Sequence, residues 1–139
     1  MAENRIQQIA AKAVIVVRGK ILILHPSAID NNRNWHFPGG RRDNMNEEIE
    51  NTAKREVLEE TGIDLSLAHG RVIMVREWVA NNNKESVQIM GVFFRYDMDA
   101  EPKIKLSEEH DRFVWLNSSS IADLNVNKEV PEILKILGV

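Results

Sequence analysis

The sequence predicts a single α+β domain on three observations: short β-branched runs recur along the chain, one long amphipathic segment interrupts them, and an apolar helical segment closes the C-terminus. Residues 13–17 (AVIVV) and 21–24 (ILIL) flank Arg18, Gly19 and Lys20, a hairpin pattern in which glycine supplies a positive φ angle. Residues 25–34 are polar and rich in Asn and Pro, which marks a loop. Trp35, His36 and Phe37 lead from it into a Pro38-Gly39-Gly40 turn. A helix is expected from about residue 47 to 61, with Asn46 as N-cap, Glu47, Glu48 and Glu50 where the helix dipole favours negative charge, and Gly62 as the C′ residue with Ile63 packing behind it. Residues 71–79 and 86–96 read as strands around the polar connection 81–84, and residues 112–116 as another. A short helix from about Ser119 and a last one over 130–137 complete the domain. With no repeat, low-complexity segment or linker, residues 1–139 form one domain.

Composition narrows the function. A chain of 139 residues with 43% hydrophobic residues and mixed charge suits one buried core. A formal net charge of -3 offers no basic field to a nucleic-acid polymer, and no apolar run approaches bilayer-spanning length. The expectation is a soluble protein acting on small molecules. The absence of cysteine excludes disulfides, thiolate zinc sites and cysteine nucleophiles, and fits a cytoplasmic protein. The opening MAENRIQQ is too polar for a signal peptide.

The chemistry concentrates on the long helix. At 3.6 residues per turn, Glu56, Glu59 and Glu60 fall within an arc of roughly 100°, while Ala53, Val57 and Leu58 point to an adjoining face that can pack on a sheet. Like charges at these spacings repel, and a helix C-terminus disfavours anions as well. A bound cation reverses both penalties, and hard oxygen donors without cysteine favour Mg²⁺ or Mn²⁺ over zinc. A random cluster of this kind is more often a solvated helix face, and the wider pattern is what outweighs that reading.

That pattern is Gly39-Gly40, then Glu47, then Arg55-Glu56-Val57-Leu58-Glu59-Glu60-Thr61-Gly62-Ile63. It resembles the signature of the Nudix (MutT-like) hydrolases: a glycine, a glutamate, Arg-Glu, an apolar residue, Glu-Glu, a glycine and an apolar residue at fixed spacing. The family pattern places five residues between its glycine and first glutamate, whereas six separate Gly40 from Glu47. One extra residue in the 41–46 loop accounts for the difference and leaves the helix intact.

The resemblance implies a mixed β-sheet sandwiched between α-helices and hydrolysis of a diphosphate linkage in a nucleoside diphosphate derivative. It also implies a metal site of Glu56, Glu59, Glu60 and the Gly39 carbonyl, with Arg55 holding the glutamates in orientation. An ordinary ion pair of Arg55 with Glu59 is compatible with that role. Glu59 is the favoured general base. Glu109, in the acidic stretch Ser107-Glu108-Glu109-His110, is the alternative base or an extra ligand, with a solvated loop carboxylate as the plain reading. Many family members are dimers, so a homodimer is compatible.

Other residues are weaker candidates. Arg41 and Arg42 stand near the expected phosphate site and could hold a substrate phosphate. Trp35, Trp78 and Phe94 could stack a nucleobase, although aromatic residues in strands are more often core; Trp78 is retained as the candidate. His25, His36, His69 and His110 lack metal-ligand spacing and are assigned no catalytic role. Gly19-Lys20 lacks the glycine and hydroxyl of a P-loop, and residues 43–48 lack the glycine of an EF-hand. The competing class is a non-catalytic nucleotide sensor of the same fold, which the full set of glutamates disfavours. Sequence markers of ADP-ribose and dinucleoside polyphosphate substrates are absent around Glu77-Trp78-Val79-Ala80, which leaves a nucleoside triphosphate releasing pyrophosphate as the leading expectation.

Overall fold

The structure, a computed structural model, describes residues 6–27, 34–82 and 85–139. Its elements run β1 (Ile6–Val17), β2 (Lys20–Pro26), β3 (Gly39–Arg41), α1 (Ile49–Thr61), β4 (Arg71–Asn82), β5 (Glu85–Met98), β6 (His110–Leu116) and α2 (Glu129–Leu137).

The expected hairpin joins β1 to β2 through Arg18 and Gly19, both at positive φ (51° and 75°), the two-residue turn whose twist matches its strands. The sheet order is β4-β5-β1-β2-β6, with β3 also paired to β1. β1 runs parallel to β5 from Ile6↔Val87 to Val17↔Met98, and the other pairings between strands are antiparallel, so the sheet is mixed.

β1 begins seven residues before the apolar run that announces it. Residues 6–12 owe their extended form to partners distant in sequence: β5 on one side and β3 on the other, with Ala11 opposite Gly40 and Lys12 opposite Gly39. The same pairing turns Gly39 and Gly40 from a plain turn into a strand.

Side chains alternate between two cores because successive strand residues face opposite ways. Ala11, Ala13 and Ile15 of β1 join Leu22, Leu24, Phe94 and Tyr96 beneath Ala53 and Val57 of α1. Val14 and Val16 join Ile21, Ile23, Phe93 and Leu116 beneath Val130, Ile133 and Leu134 of α2. One helix thus covers each face, the α/β/α layering that the sequence predicts.

Three local expectations are corrected. Helix α1 begins at Ile49, with Glu48 as N-cap in extended conformation; Asn46 is not the cap. The Asn44 carboxamide oxygen instead accepts the backbone N–H groups of Asn46 and Glu47 at 2.9 and 3.1 Å, and this local turn competes with helix. Leu58 is 51% exposed, because the stripe that meets the sheet is Thr52, Ala53, Val57, Glu60 and Thr61. Residues 118–120 form a turn rather than a helix, with Asn117 and Ser120 bonded to each other through side chain and backbone. The connection at 81–84 lies partly outside the described residues, as does residue range 28–33 of the expected loop. Gly62 does close α1, with φ 75° and its N–H on the Leu58 carbonyl.

Candidate active site

The same geometry that buries Val57 carries Glu60 inward, since residues three apart share a helix face. Glu60 is 5% exposed, and its Oε1 accepts the Gly39 N–H at 2.8 Å. Burial pushes its carboxyl up to about 8, against the opposing pull of the Gly39 N–H and Lys12. Glu56 is also raised by burial, with Arg55 opposing. Glu59, one step round the helix, has a side chain 57% exposed at the mouth of the site.

Arg55 holds the outer part of the cluster together. Its Nε and Nη2 donate to the two oxygens of Glu47 at 2.8 and 3.2 Å, and its Nη1 donates to Glu56 at 3.0 Å and to Glu59 at 3.4 Å. The planar guanidinium suits such branching. Glu47 also accepts the Thr52 hydroxyl at 2.6 Å, and these bonds, Arg55 first, hold its carboxyl down at about 2. Glu47 therefore anchors Arg55, and the extra residue in the preceding loop has not displaced it.

Two glycines make room for the carboxylates. A Cβ at Gly40 would lie 2.5 Å from the Glu56 carboxyl carbon, and one at Gly39, where φ is 143°, would lie 2.2 Å from the Ala11 carbonyl oxygen. Gly39 is held to glycine by its positive φ and the backbone beside it, and Gly40 leaves the space that the Glu56 carboxylate fills.

Glu109 approaches from the loop before β6. Ligand atoms of Glu60, Glu109 and His110 lie within 4.8 Å of one another, so the structure brings Glu109 to the signature helix. His110 Nε2 is 3.7 Å from Glu60 and 2.9 Å from His36 Nε2. His36 is held neutral, its pKa lowered to about 3 by burial and by Lys12. This donor set, oxygen-rich with an imidazole at its inner end, fits a hard divalent cation and also accommodates Mn²⁺.

Two cavities share a lining residue here. One is acidic, lined by Pro26, Ser27, His36, Glu60, Glu109 and His110 among others. The second, of about 600 Å³, carries Phe37, Trp78 and Phe93 together with Lys12, Asn127 and Glu129. His36 lines both. Trp78 lies over Gly91, where a Cβ would come within 2.4 Å of the indole.

Other candidates fall elsewhere. Phe94 points to the α1 core, and its neighbour Phe93 takes the cavity wall instead. Trp35 is buried on the α2 side with the Arg112 guanidinium 5.4 Å from its ring centre. Arg42 lines a separate cavity of about 370 Å³ with Glu77, Gln88 and Met90. Arg41 is exposed; its carbonyl accepts Arg55 at 3.5 Å, and its charge is felt at Lys12. Sequence reasoning passes over His36, His110 and Lys12. The histidines left no spacing signal, being 74 positions apart. Lys12 did leave one, as the lone charged residue in the apolar run 9–17.

A carboxylate cluster on helix α1, set against the glycines of β3 in an α/β/α domain, suits a metal-assisted hydrolase of phosphate anhydrides. The chain belongs to the NUDIX domain family, whose model matches residues 7–136, and it is a Nudix hydrolase. No curated protein matches the sequence. Among solved structures, the MutT protein of Methanosarcina mazei is 21% identical with a TM-score of 0.70, over 96% of this chain and 94% of that one. The E. coli dihydroneopterin triphosphate pyrophosphohydrolase is 17% identical with a TM-score of 0.76, over 96% and 99%. A Francisella tularensis bifunctional NMN adenylyltransferase/ADP ribose pyrophosphatase, complexed with AMP and a manganese ion, is 21% identical with a TM-score of 0.72, over 98% and 42%. At these identities the likeness is one of fold. Among the described residues, no helix is long and apolar enough to cross a membrane.

Proposed function

We propose that this protein hydrolyses the diphosphate linkage of a nucleoside diphosphate derivative with Mg²⁺ or Mn²⁺, and that a nucleoside triphosphate releasing pyrophosphate is the substrate. The observation that carries this reading is His36, which lines both an acidic cavity and an aromatic one. A diphosphate bearing a planar ring requires that pairing. The E. coli enzyme of similar fold is named for a triphosphate substrate, which favours the same class.

Glu56, Glu59, Glu60 and the Gly39 carbonyl would hold the cation, with Glu109 as a further ligand or alternative base. When bound, the ion supplies positive charge against the diphosphate oxygens. Glu59, the most accessible of the three helix carboxylates, takes the proton from the attacking water as the new P–O bond forms and the anhydride P–O bond breaks. Arg55 keeps the glutamates oriented, Arg41 faces the outgoing phosphates, and Trp78 stacks on the ring. Arg42, in its separate cavity, is left out of this arrangement.

The test is release of phosphate or pyrophosphate from nucleoside triphosphates, ADP-ribose, dinucleoside polyphosphates and nucleotide sugars, with Mg²⁺ and with chelator. Turnover of triphosphates that vanishes with chelator supports the reading. Turnover of another class redirects the substrate, and no turnover in folded, Mg²⁺-binding protein favours a nucleotide sensor.

A further inference from the structure

Lys12 occupies a position that the strand pattern reserves for an apolar side chain. It shares a β1 face with Val14 and Val16, both buried beneath α2. An ammonium in such surroundings loses hydration, and burial is the largest influence lowering its pKa, opposed by Glu60, Glu56 and Glu129. Among the described residues it forms no direct ion pair, since these carboxylates act on it only at longer range. The fold also makes space for its stem: a Cβ at Gly39 would lie 2.9 Å from Lys12 Cδ.

Its place in the aromatic cavity, near the glutamates, is distinctive. Lys12 lines the aromatic cavity with Phe37, Trp78 and Phe93, while Glu60 and Glu56 of the acidic side lie within electrostatic reach. His36 lines both cavities, and Lys12 shares the aromatic one with it. The aromatic cavity thus sets rings and the amines of Lys12 and Lys128 in one wall, with the carboxylates of Glu60 and Glu56 in electrostatic reach of Lys12.

We propose that Lys12 binds the phosphate nearest the nucleoside, bridging the ring seated on Trp78 and the diphosphate held at the glutamates. This rests on the proposed nucleotide reading, since it needs a ligand that spans both cavities. The ammonium donates to a non-bridging phosphate oxygen, and the ligand supplies a charged partner for Lys12, which forms no ion pair among the described residues. A charge-assisted bond of this kind is worth about 1.5–3 kcal/mol, or roughly ten- to a hundredfold in affinity. Lys12 would accordingly make the enzyme select a phosphorylated ligand over the bare nucleoside.

The experiment compares binding of AMP, GMP, CMP and UMP with binding of the four corresponding nucleosides, in Mg²⁺, to wild type, Lys12→Gln and Lys12→Arg. Thermal melting establishes that each variant is folded. Wild type is expected to prefer the best-bound monophosphate over its nucleoside by at least about tenfold. Lys12→Gln should erase most of that preference while leaving nucleoside affinity unchanged, and Lys12→Arg should keep part of it. A purely structural role for Lys12 would shift both ligands together, and that result overturns the inference. An undiminished preference in folded Lys12→Gln, in a protein that hydrolyses nucleotides, overturns the inference alone. Failure of wild type to bind or hydrolyse any nucleotide overturns it together with the function it rests on.

Discussion

Gly40 and Glu56 are packed so closely that a single methyl group could not stand between them: a Cβ on Gly40 would fall 2.5 Å from the Glu56 carboxyl carbon and under 3 Å from both its oxygens. A glycine of the signature thereby serves the carboxylates directly. Gly40→Ala should displace the Glu56 carboxylate, leave the fold in place and weaken Mg²⁺ or Mn²⁺ binding about ten- to a hundredfold. Calorimetric titration of Mn²⁺ into the variant checks this, and unchanged affinity would remove Glu56 from the metal site.

Glu59 is the accessible member of the helix cluster, with little of the fold depending on it. Glu59→Gln should retain the melting temperature and lose turnover by on the order of 10²-fold or more, the scale of a missing general base. Normal activity in this variant would refute the assigned site.

Glu60 makes the metal-free protein sensitive to pH. Its carboxyl stands at about 8 in the folded state against an ordinary value of 4.5, so between those values the folded protein holds a proton that the unfolded chain has released. Unfolding free energy contributed by this group therefore declines as pH rises from about 4.5 to 8. Denaturant titrations in chelator should show that decline, and saturating Mg²⁺ should reduce it. At pH 7 metal uptake should also release a proton, which calorimetry in buffers of different ionisation enthalpy measures. A pH-independent metal-free stability in this window would contradict the burial of Glu60.

Glu47 acts in the opposite sense. Its carboxyl is held at about 2 by Arg55 and Thr52, so its stabilisation is complete above the ordinary value of 4.5 and is lost as pH falls through 2. Glu47→Gln should flatten the acid limb of the stability curve and, by freeing Arg55, lower turnover about tenfold or more. An unaltered acid limb would show that the Glu47–Arg55 pair is not formed in solution.

Much of this protein is written in short stretches of chain. Gly19 marks the hairpin because the turn needs positive φ, which Arg18 also adopts, and Gly62 ends α1 because the helix terminates in a left-handed residue. The carboxylate cluster is equally legible, since its members are helical neighbours a few positions apart. Local geometry alone places such groups together.

What the chain could not show by itself lies between distant segments. Residues 6–12 are strand because β5 and β3 pair with them, and a sequence pattern does not reveal its partner. Whether Phe93 or Phe94 lines the aromatic cavity depends on which side of the sheet each helix covers. Glu109, His36 and His110 meet Glu60 through loops and strands far apart in sequence. The sequence by itself determined the class of chemistry, because carboxylate spacing on one helix is a local property. The tertiary structure decided which amine and which rings line one cavity, because side chains from separate strands acquire a common wall only when the sheet closes.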